Sequence, residues 1–151
     1  MQLLFTFQTK GTTNAKVTEA LESEVTAAVA ASGIFATLGE APALSGATLH
    51  IVINNVPLDD AAFAKGFATG LTFGLVGSAV TDGYICTVDF VSPRGVKVTK
   101  KLRHAIHTTM GAKGAPANAV KAKSLDEAVH TMTRQVTTAA LKELADDPVF
   151  K

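Results

Sequence analysis

The sequence YICTVDFVSPRGVKV, residues 84–98, decides the fold, because it predicts a β-hairpin near the middle of the chain. Tyr84 to Val91 alternates between apolar and polar residues with the two-residue period of a strand. Ser92-Pro93-Arg94-Gly95 is a strong turn signal, with Pro at the second turn position and Gly at the fourth. The chain from Val96 to Thr108 then returns as the partner strand. Its apolar side chains share one face: Val96, Val98, Leu102 and Ile106.

Further strands are predicted upstream of this hairpin. Residues 1–8, MQLLFTFQ, alternate with Leu3, Phe5 and Phe7 on one face, as in a strand. A short strand is predicted at Phe35 to Leu38. Residues 48–56, TLHIVINNV, have the composition of a buried strand, which ends before Pro57.

Two long helices are predicted from caps and apolar periodicity. Thr12-Thr13-Asn14 supplies N-terminal caps for the first helix, and Gly33 supplies its C-terminal cap. Ser124-Leu125-Asp126-Glu127 is a capping box that opens the second helix, and Asp146-Asp147 after it is predicted to be a solvated tail. The inward-facing residues are Val17, Leu21, Val25 and Val29 in the first helix and Leu125, Val129, Met132, Val136 and Ala140 in the second.

These elements predict one α+β domain that spans residues 1–151. Its mostly antiparallel sheet has about four to five strands, and both helices pack on one face. The order along the chain is β-α-β-β-insert-β-β-α.

The insert, at about residues 63–82, contains sixteen consecutive uncharged residues, GFATGLTFGLVGSAVT, from Gly66 to Thr81. This run is shorter than a membrane-spanning helix requires. Its apolar load must be buried in the core, in a partner protein, in a second copy of the chain or in lipid, or it lines a ligand pocket. The predicted residues for binding a partner or lipid are Phe67, Gly70, Leu71, Phe73, Gly74, Leu75 and Val76.

Basic residues are concentrated after the hairpin turn. No acidic residue lies between Asp89 and Asp126, whereas eight Lys and Arg residues do. This pattern is typical of a solvated edge strand protected by lysines, or of a patch for anionic headgroups, an acidic partner or RNA. The predicted anionic-surface residues are Lys97, Lys100, Lys101, Arg103 and His107. Beside an apolar insert, this pattern favours a membrane surface. A net charge of only +1, one Tyr and no Trp argue against nucleic acid.

No catalytic, metal or cofactor site is predicted. The phosphate-binding motif GxxxxGK[ST] and a GxGxxG turn are both absent, and Ser78 lacks a nucleophile-elbow context. Cys86 lies in mid-strand as a small core residue, and it has no second cysteine with which to form a disulfide. His104 and His107 are three apart in a strand, so they project to opposite faces and cannot share an ion. The sequence therefore favours a protein that is not an enzyme.

Two stretches resemble known bacterial envelope proteins. The layout of strand, amphipathic helix ending in Ser32-Gly33-Ile34-Phe35, and buried strand at 49–53 (LHIVI) resembles the TolB amino-terminal domain and related modules of curli-secretion-type lipoproteins. The segment at 70–76 (GLTFGLV), followed by Thr81-Asp82-Gly83-Tyr84, is similar to small Gram-negative lipoproteins of uncharacterised function. Gly77 stands where proline is common in them.

The resemblance implies a periplasmic or outer-membrane location, a lipid anchor on the native full-length chain with its leader removed, and no catalytic residues. The predicted function is a non-enzymatic lipoprotein domain that binds membrane or an envelope protein through the insert. Two alternatives are an oligomerising module that packs through its glycines and a protein that binds a small hydrophobic ligand.

Overall fold

The structure, a computed structural model, describes residues 1–57, 80–107 and 120–148. Its elements in chain order are β1 (Gln2–Thr9), β2 (Thr12–Thr13), α1 (Ala15–Ala31), β3 (Thr48–Pro57), β4 (Val80–Val91), β5 (Lys97–His107) and α2 (Leu125–Ala145). The five strands form one sheet in the order β2-β1-β3-β4-β5.

The predicted α+β class is confirmed, although the sheet is mixed. Three of the four pairings among these strands are antiparallel, and β1 pairs with β3 in parallel. Parallel neighbours need a crossover connection, and the chain between β1 and β3 contains α1.

The hydrophobic core lies between one face of the sheet and the two helices. In β3 the side chains of Leu49, Ile51 and Ile53 are fully buried. They alternate with polar or half-buried residues because successive strand residues point to opposite faces. The buried residues of the helices are Leu21, Val25, Ala28 and Val29 in α1 and Met132, Thr133, Val136, Thr137, Ala140, Leu141 and Leu144 in α2. The sheet face away from the helices is called the open face below.

The helix ends follow the predicted caps. The Asn14 side chain accepts a hydrogen bond from the Val17 N–H at 3.3 Å, and the Ser124 hydroxyl accepts one from the Glu127 N–H at 3.1 Å. In a complete capping box the Glu127 carboxylate would accept a hydrogen bond from the Ser124 N–H. It accepts instead from the N–H of Lys123, one residue earlier, at 2.6 Å.

The turn between β4 and β5 also forms as predicted. The Gly95 N–H donates to the Ser92 carbonyl oxygen at 2.9 Å, and the Ser92 N–H donates to the Val96 carbonyl oxygen at the same distance. Gly95 has a φ of 78°, which favours glycine because a side chain rarely adopts it.

Three details of the predicted fold are wrong. Residues 35–38 form no strand, and only Gly39 makes a bridge, to Gln2 of β1. The additional strand is β2, which precedes α1. Leu125 does not face inward; it is 62% exposed at the first position of α2. The end of the insert also belongs to β4, which begins at Val80.

Candidate functional site

The insert residues predicted to bind a partner or lipid (Phe67, Gly70, Leu71, Phe73, Gly74, Leu75 and Val76) lie outside the described residues. The structure does describe the two points where the chain leaves for this segment and returns from it. In the sheet register, Pro57 is opposite Asp82, and Val80 is opposite His107. The segment therefore starts and finishes at one end of the sheet, called the insert end below. The turn at residues 92–95 lies at the other end, the hairpin end.

Three of the five predicted anionic-surface residues come together on the open face. Lys97, Lys101 and Arg103 of β5 are all exposed, and we call them the basic stripe. The three cations occupy odd-numbered positions of β5. The even-numbered Val98 and Ile106 are buried against the core, and successive strand residues point to opposite faces, so the cations lie on the open face. Across the strand pair they face Val91, Thr87 and Ile85, which carry no charge. Asp89 of β4 is opposite Thr99, diagonal to Lys97 and Lys101, and it offsets part of the mutual repulsion of these two cations.

Lys100 does not belong to this surface, so the prediction for it is wrong. Its parity places it on the helix face, where its Nζ lies 2.8 Å from Oδ2 of Asp147. The two side chains are 24% and 18% exposed. Of the predicted solvated tail Asp146-Asp147, only Asp146 is exposed; the prediction is wrong for Asp147, whose contact with Lys100 joins the end of α2 to β5. His107 ends β5 at the insert end, directly opposite Val80.

A row of polar side chains crosses the helix face near the insert end, and sequence reasoning did not single it out. The Asn55 amide donates to the Asp82 carboxylate at 3.3 Å. Burial, the larger cause, and the negative charge of Asp82 together raise the pKa of Tyr84 to about 12. A hydrogen bond with Asn55 lowers this pKa in part. The only signal in the sequence is the period-two placement of these residues in two strands, and their pairing depends on the register between β3 and β4.

His104 extends this row into β5. Its Nε2 lies 3.0 Å from Oε1 of Gln135 in α2. Burial lowers the pKa of the His104 imidazole, and the contacts with Gln135 and the Ala105 carbonyl partly oppose that shift. The ring is therefore mainly neutral at pH 7 and links β5 to α2. His104 thus lies on the helix face of β5.

The prediction that Cys86 is a core residue is confirmed. Its side chain is fully buried, and burial raises the pKa of the thiol to about 12. A protonated, inaccessible thiol is a poor nucleophile. Within residues 1–57, 80–107 and 120–148, no three His, Cys, Asp or Glu side chains are grouped to hold a metal ion.

The two layers carry opposite charge. On the open face the strands present the basic stripe and one carboxylate, Asp89. That carboxylate accepts a hydrogen bond from the Thr99 hydroxyl at 2.5 Å. The helices, by contrast, contain more acids than bases. Glu19, Glu22 and Glu24 accompany Lys16 in α1, and Asp126, Glu127 and Glu143 accompany Arg134 and Lys142 in α2. Among the described strands and helices, the open face is therefore net positive and the helix layer net negative.

The search against known protein families finds no match, and the search of curated proteins also finds none. Neither of the helices described, α1 and α2, is long and apolar enough to cross a membrane.

Proposed function

We propose that this chain is a non-enzymatic binding domain of the bacterial cell envelope that associates with a membrane surface. The apolar insert and the basic stripe provide the contact. In the native full-length protein, a lipid anchor would hold the domain at the periplasmic side of the membrane, as the resemblance to envelope lipoproteins implies.

One observation carries this proposal. The register of β4 and β5 places Val80 opposite His107, the last residue of β5. Val80 is where the chain returns from the insert. The point where the apolar segment returns to the sheet is therefore the end of β5 that follows Arg103. An apolar surface for the interface next to basic groups for anionic headgroups is the combination by which peripheral proteins bind membranes.

The expected binding free energies show how this combination would stabilise membrane association. Each Lys or Arg close to an anionic surface contributes about 1 kcal/mol, and a buried Phe or Leu side chain contributes about 1.5–3 kcal/mol. A single acyl chain gives only marginal and reversible membrane binding. The three cations and a few apolar side chains would turn such weak attachment into stable association.

Vesicle co-sedimentation tests this function. The wild-type protein should bind vesicles that contain phosphatidylglycerol more tightly than vesicles of phosphatidylcholine, and salt should weaken the difference. Phe73→Asp should reduce binding at least tenfold, and Arg103→Ala should reduce it about fivefold, because about 1.4 kcal/mol corresponds to a factor of ten. Leu125→Asp and Lys16→Ala are matched controls on the helix layer, where both residues are exposed.

Three results would contradict the proposal. Binding that is equal for all four variants would exclude this surface. Vesicle binding that is absent in the wild type, with a sedimentation mass that falls toward monomer in Gly70→Leu, would favour the oligomerising module. Saturable binding of a small apolar compound with thermal stabilisation would favour a ligand-binding protein. Far-ultraviolet circular dichroism must show that each variant remains folded.

A further inference from the structure

We infer that the domain docks on an anionic lipid bilayer with the open face of its sheet flat against the headgroups. This inference rests on the proposed membrane association and adds the docking surface and its orientation. It places the basic stripe in contact with lipid along its whole length, and it places the helices on the side away from the membrane.

The charge of the two layers sets this orientation. The open face of the strands carries three exposed cations and a single carboxylate, Asp89, which is hydrogen-bonded to Thr99. The helices carry the excess of carboxylates, and their outer side chains lie about one helix diameter, 10–12 Å, further from the open face. The Debye length at physiological ionic strength is about 8 Å. A bilayer on the open face therefore attracts the cations while the acidic groups are screened from it.

The length of the basic stripe distinguishes flat docking from docking on the insert end alone. Lys97 and Arg103 are six residues apart in one strand, which corresponds to about 20 Å. If only the insert end touched the bilayer, Lys97 would lie more than a Debye length away and would contribute little. In the flat orientation, Lys97 contributes as much as Lys101.

The open face also contains apolar side chains. Leu4 of β1 is 41% exposed, and Val52 of β3 and Ile85 of β4 are half-buried. Their parities place all three on the open face. A surface with exposed apolar side chains and flanking cations suits the boundary between headgroups and acyl chains.

A second copy of the chain fits poorly against the β5 edge of this face. A two-fold symmetric contact centred on β5 would bring the same edge of each subunit together, and so it would set the two basic stripes against one another. Like charges held close together are costly. Anionic lipid neutralises the same cations without this cost, and the uncharged run at residues 66–81, which returns to the sheet at the insert end, favours lipid over an acidic protein.

A single tryptophan reports the orientation, since the natural chain has none. Leu4→Trp places the reporter on the open face, and Leu125→Trp, at a position that is 62% exposed on α2, is the matched control. Each variant is mixed with phosphatidylglycerol vesicles whose acyl chains are brominated. We expect the emission of the Leu4→Trp variant to shift to shorter wavelength and to be quenched, and that of the control to stay unchanged.

Lys97→Ala provides a second measurement that does not depend on a tryptophan. In the flat orientation this variant should bind the vesicles about fivefold more weakly than the wild type. Lys16→Ala, which removes one exposed cation from α1, should bind as the wild type does.

The failure of this inference differs from the failure of the proposed function. If the protein binds vesicles but the Leu4→Trp emission is unchanged and Lys97→Ala binds normally, the flat orientation is wrong and membrane association stands. If the protein binds no vesicles but is retained on polyglutamate through Lys97, both proposals are wrong and the open face is a site for an acidic protein.

Discussion

Lys100 and Lys101 are neighbours in the sequence but lie on opposite faces of β5. Their alanine variants should therefore lose different properties, stability in one case and vesicle binding in the other. Lys100 forms an ion pair with Asp147 at 2.8 Å, and both side chains are largely covered. Lys101 is exposed in the basic stripe. We expect Lys100→Ala to lower stability without changing vesicle binding, and Lys101→Ala to weaken vesicle binding without changing stability.

The magnitudes follow from these environments. Exposed ion pairs contribute about 0.2–1 kcal/mol, whereas hydrogen bonds to charged groups contribute about 1.5–3 kcal/mol. The Lys100–Asp147 pair lies between these cases, so we expect a loss of about 1–2 kcal/mol. For a chain of this size, each kcal/mol corresponds to a fall in Tm of about 2–4 °C. For Lys101→Ala we expect a stability change within about 0.5 kcal/mol and a fivefold loss of binding to phosphatidylglycerol vesicles.

Urea denaturation followed by circular dichroism measures the first quantity, and vesicle co-sedimentation measures the second. Asp147→Asn serves as the partner control, and the double variant should lose less stability than the sum of the two single variants, because both single variants remove the Lys100–Asp147 contact. Equal losses of vesicle binding in the two lysine variants would refute the assignment of faces and, with it, the basic stripe as a specific contact.

The remaining predictions concern the core and a helix end. Burial raises the pKa of the Cys86 thiol from an ordinary value of 9.0 to about 12, so the unfolded chain loses this proton first and the free energy of unfolding falls between these pH values. From pH 8 to pH 10, the wild type should lose about 1.4 kcal/mol more than Cys86→Ala in urea titrations; parallel curves would contradict this. Gly33→Ala should lower the free energy of unfolding by about 1 kcal/mol, because Gly33 has a φ of 66°. Gly39→Ala is the control: it has equally open space and no positive φ, so it should lose much less. Equal melting temperatures of the two variants would show that the conformation at Gly33 carries no penalty.

Local signals predicted the parts of the fold that depend on neighbouring residues. The Asn14 and Ser124 caps, the turn at residues 92–95 and the burial of Cys86 all follow from patterns a few residues long. These patterns are reliable because each cap or turn satisfies backbone groups within its own segment.

The parts that sequence reasoning missed depend on contacts distant in the chain. The parallel pairing of β1 with β3 and the contact of Asp147 with Lys100 join residues more than 40 positions apart, and no local pattern specifies them. The parity of Lys100 was visible in the sequence, since it matches Val98 and Leu102. The density of charges along β5 does not distinguish its two faces, whereas the alternation of residues does.

The candidate surface was predicted in part. Lys97, Lys101 and Arg103 lie on one exposed face as expected. The return of the insert to the sheet at the end of β5 could not be predicted from the sequence, because it depends on the register that sets Val80 against His107. The opposite charge of the two layers likewise appears only when the helices are placed on one face of the sheet.

Hydrogen–deuterium exchange with and without phosphatidylglycerol vesicles tests the central claim of membrane contact most directly. The account predicts that peptides covering residues 66–81 exchange more slowly when vesicles are present, while peptides from α1 exchange at the same rate in both samples. Identical exchange across residues 66–81 in the two samples would contradict it, and slow exchange in both would assign the insert to the core or to contacts between copies of the chain.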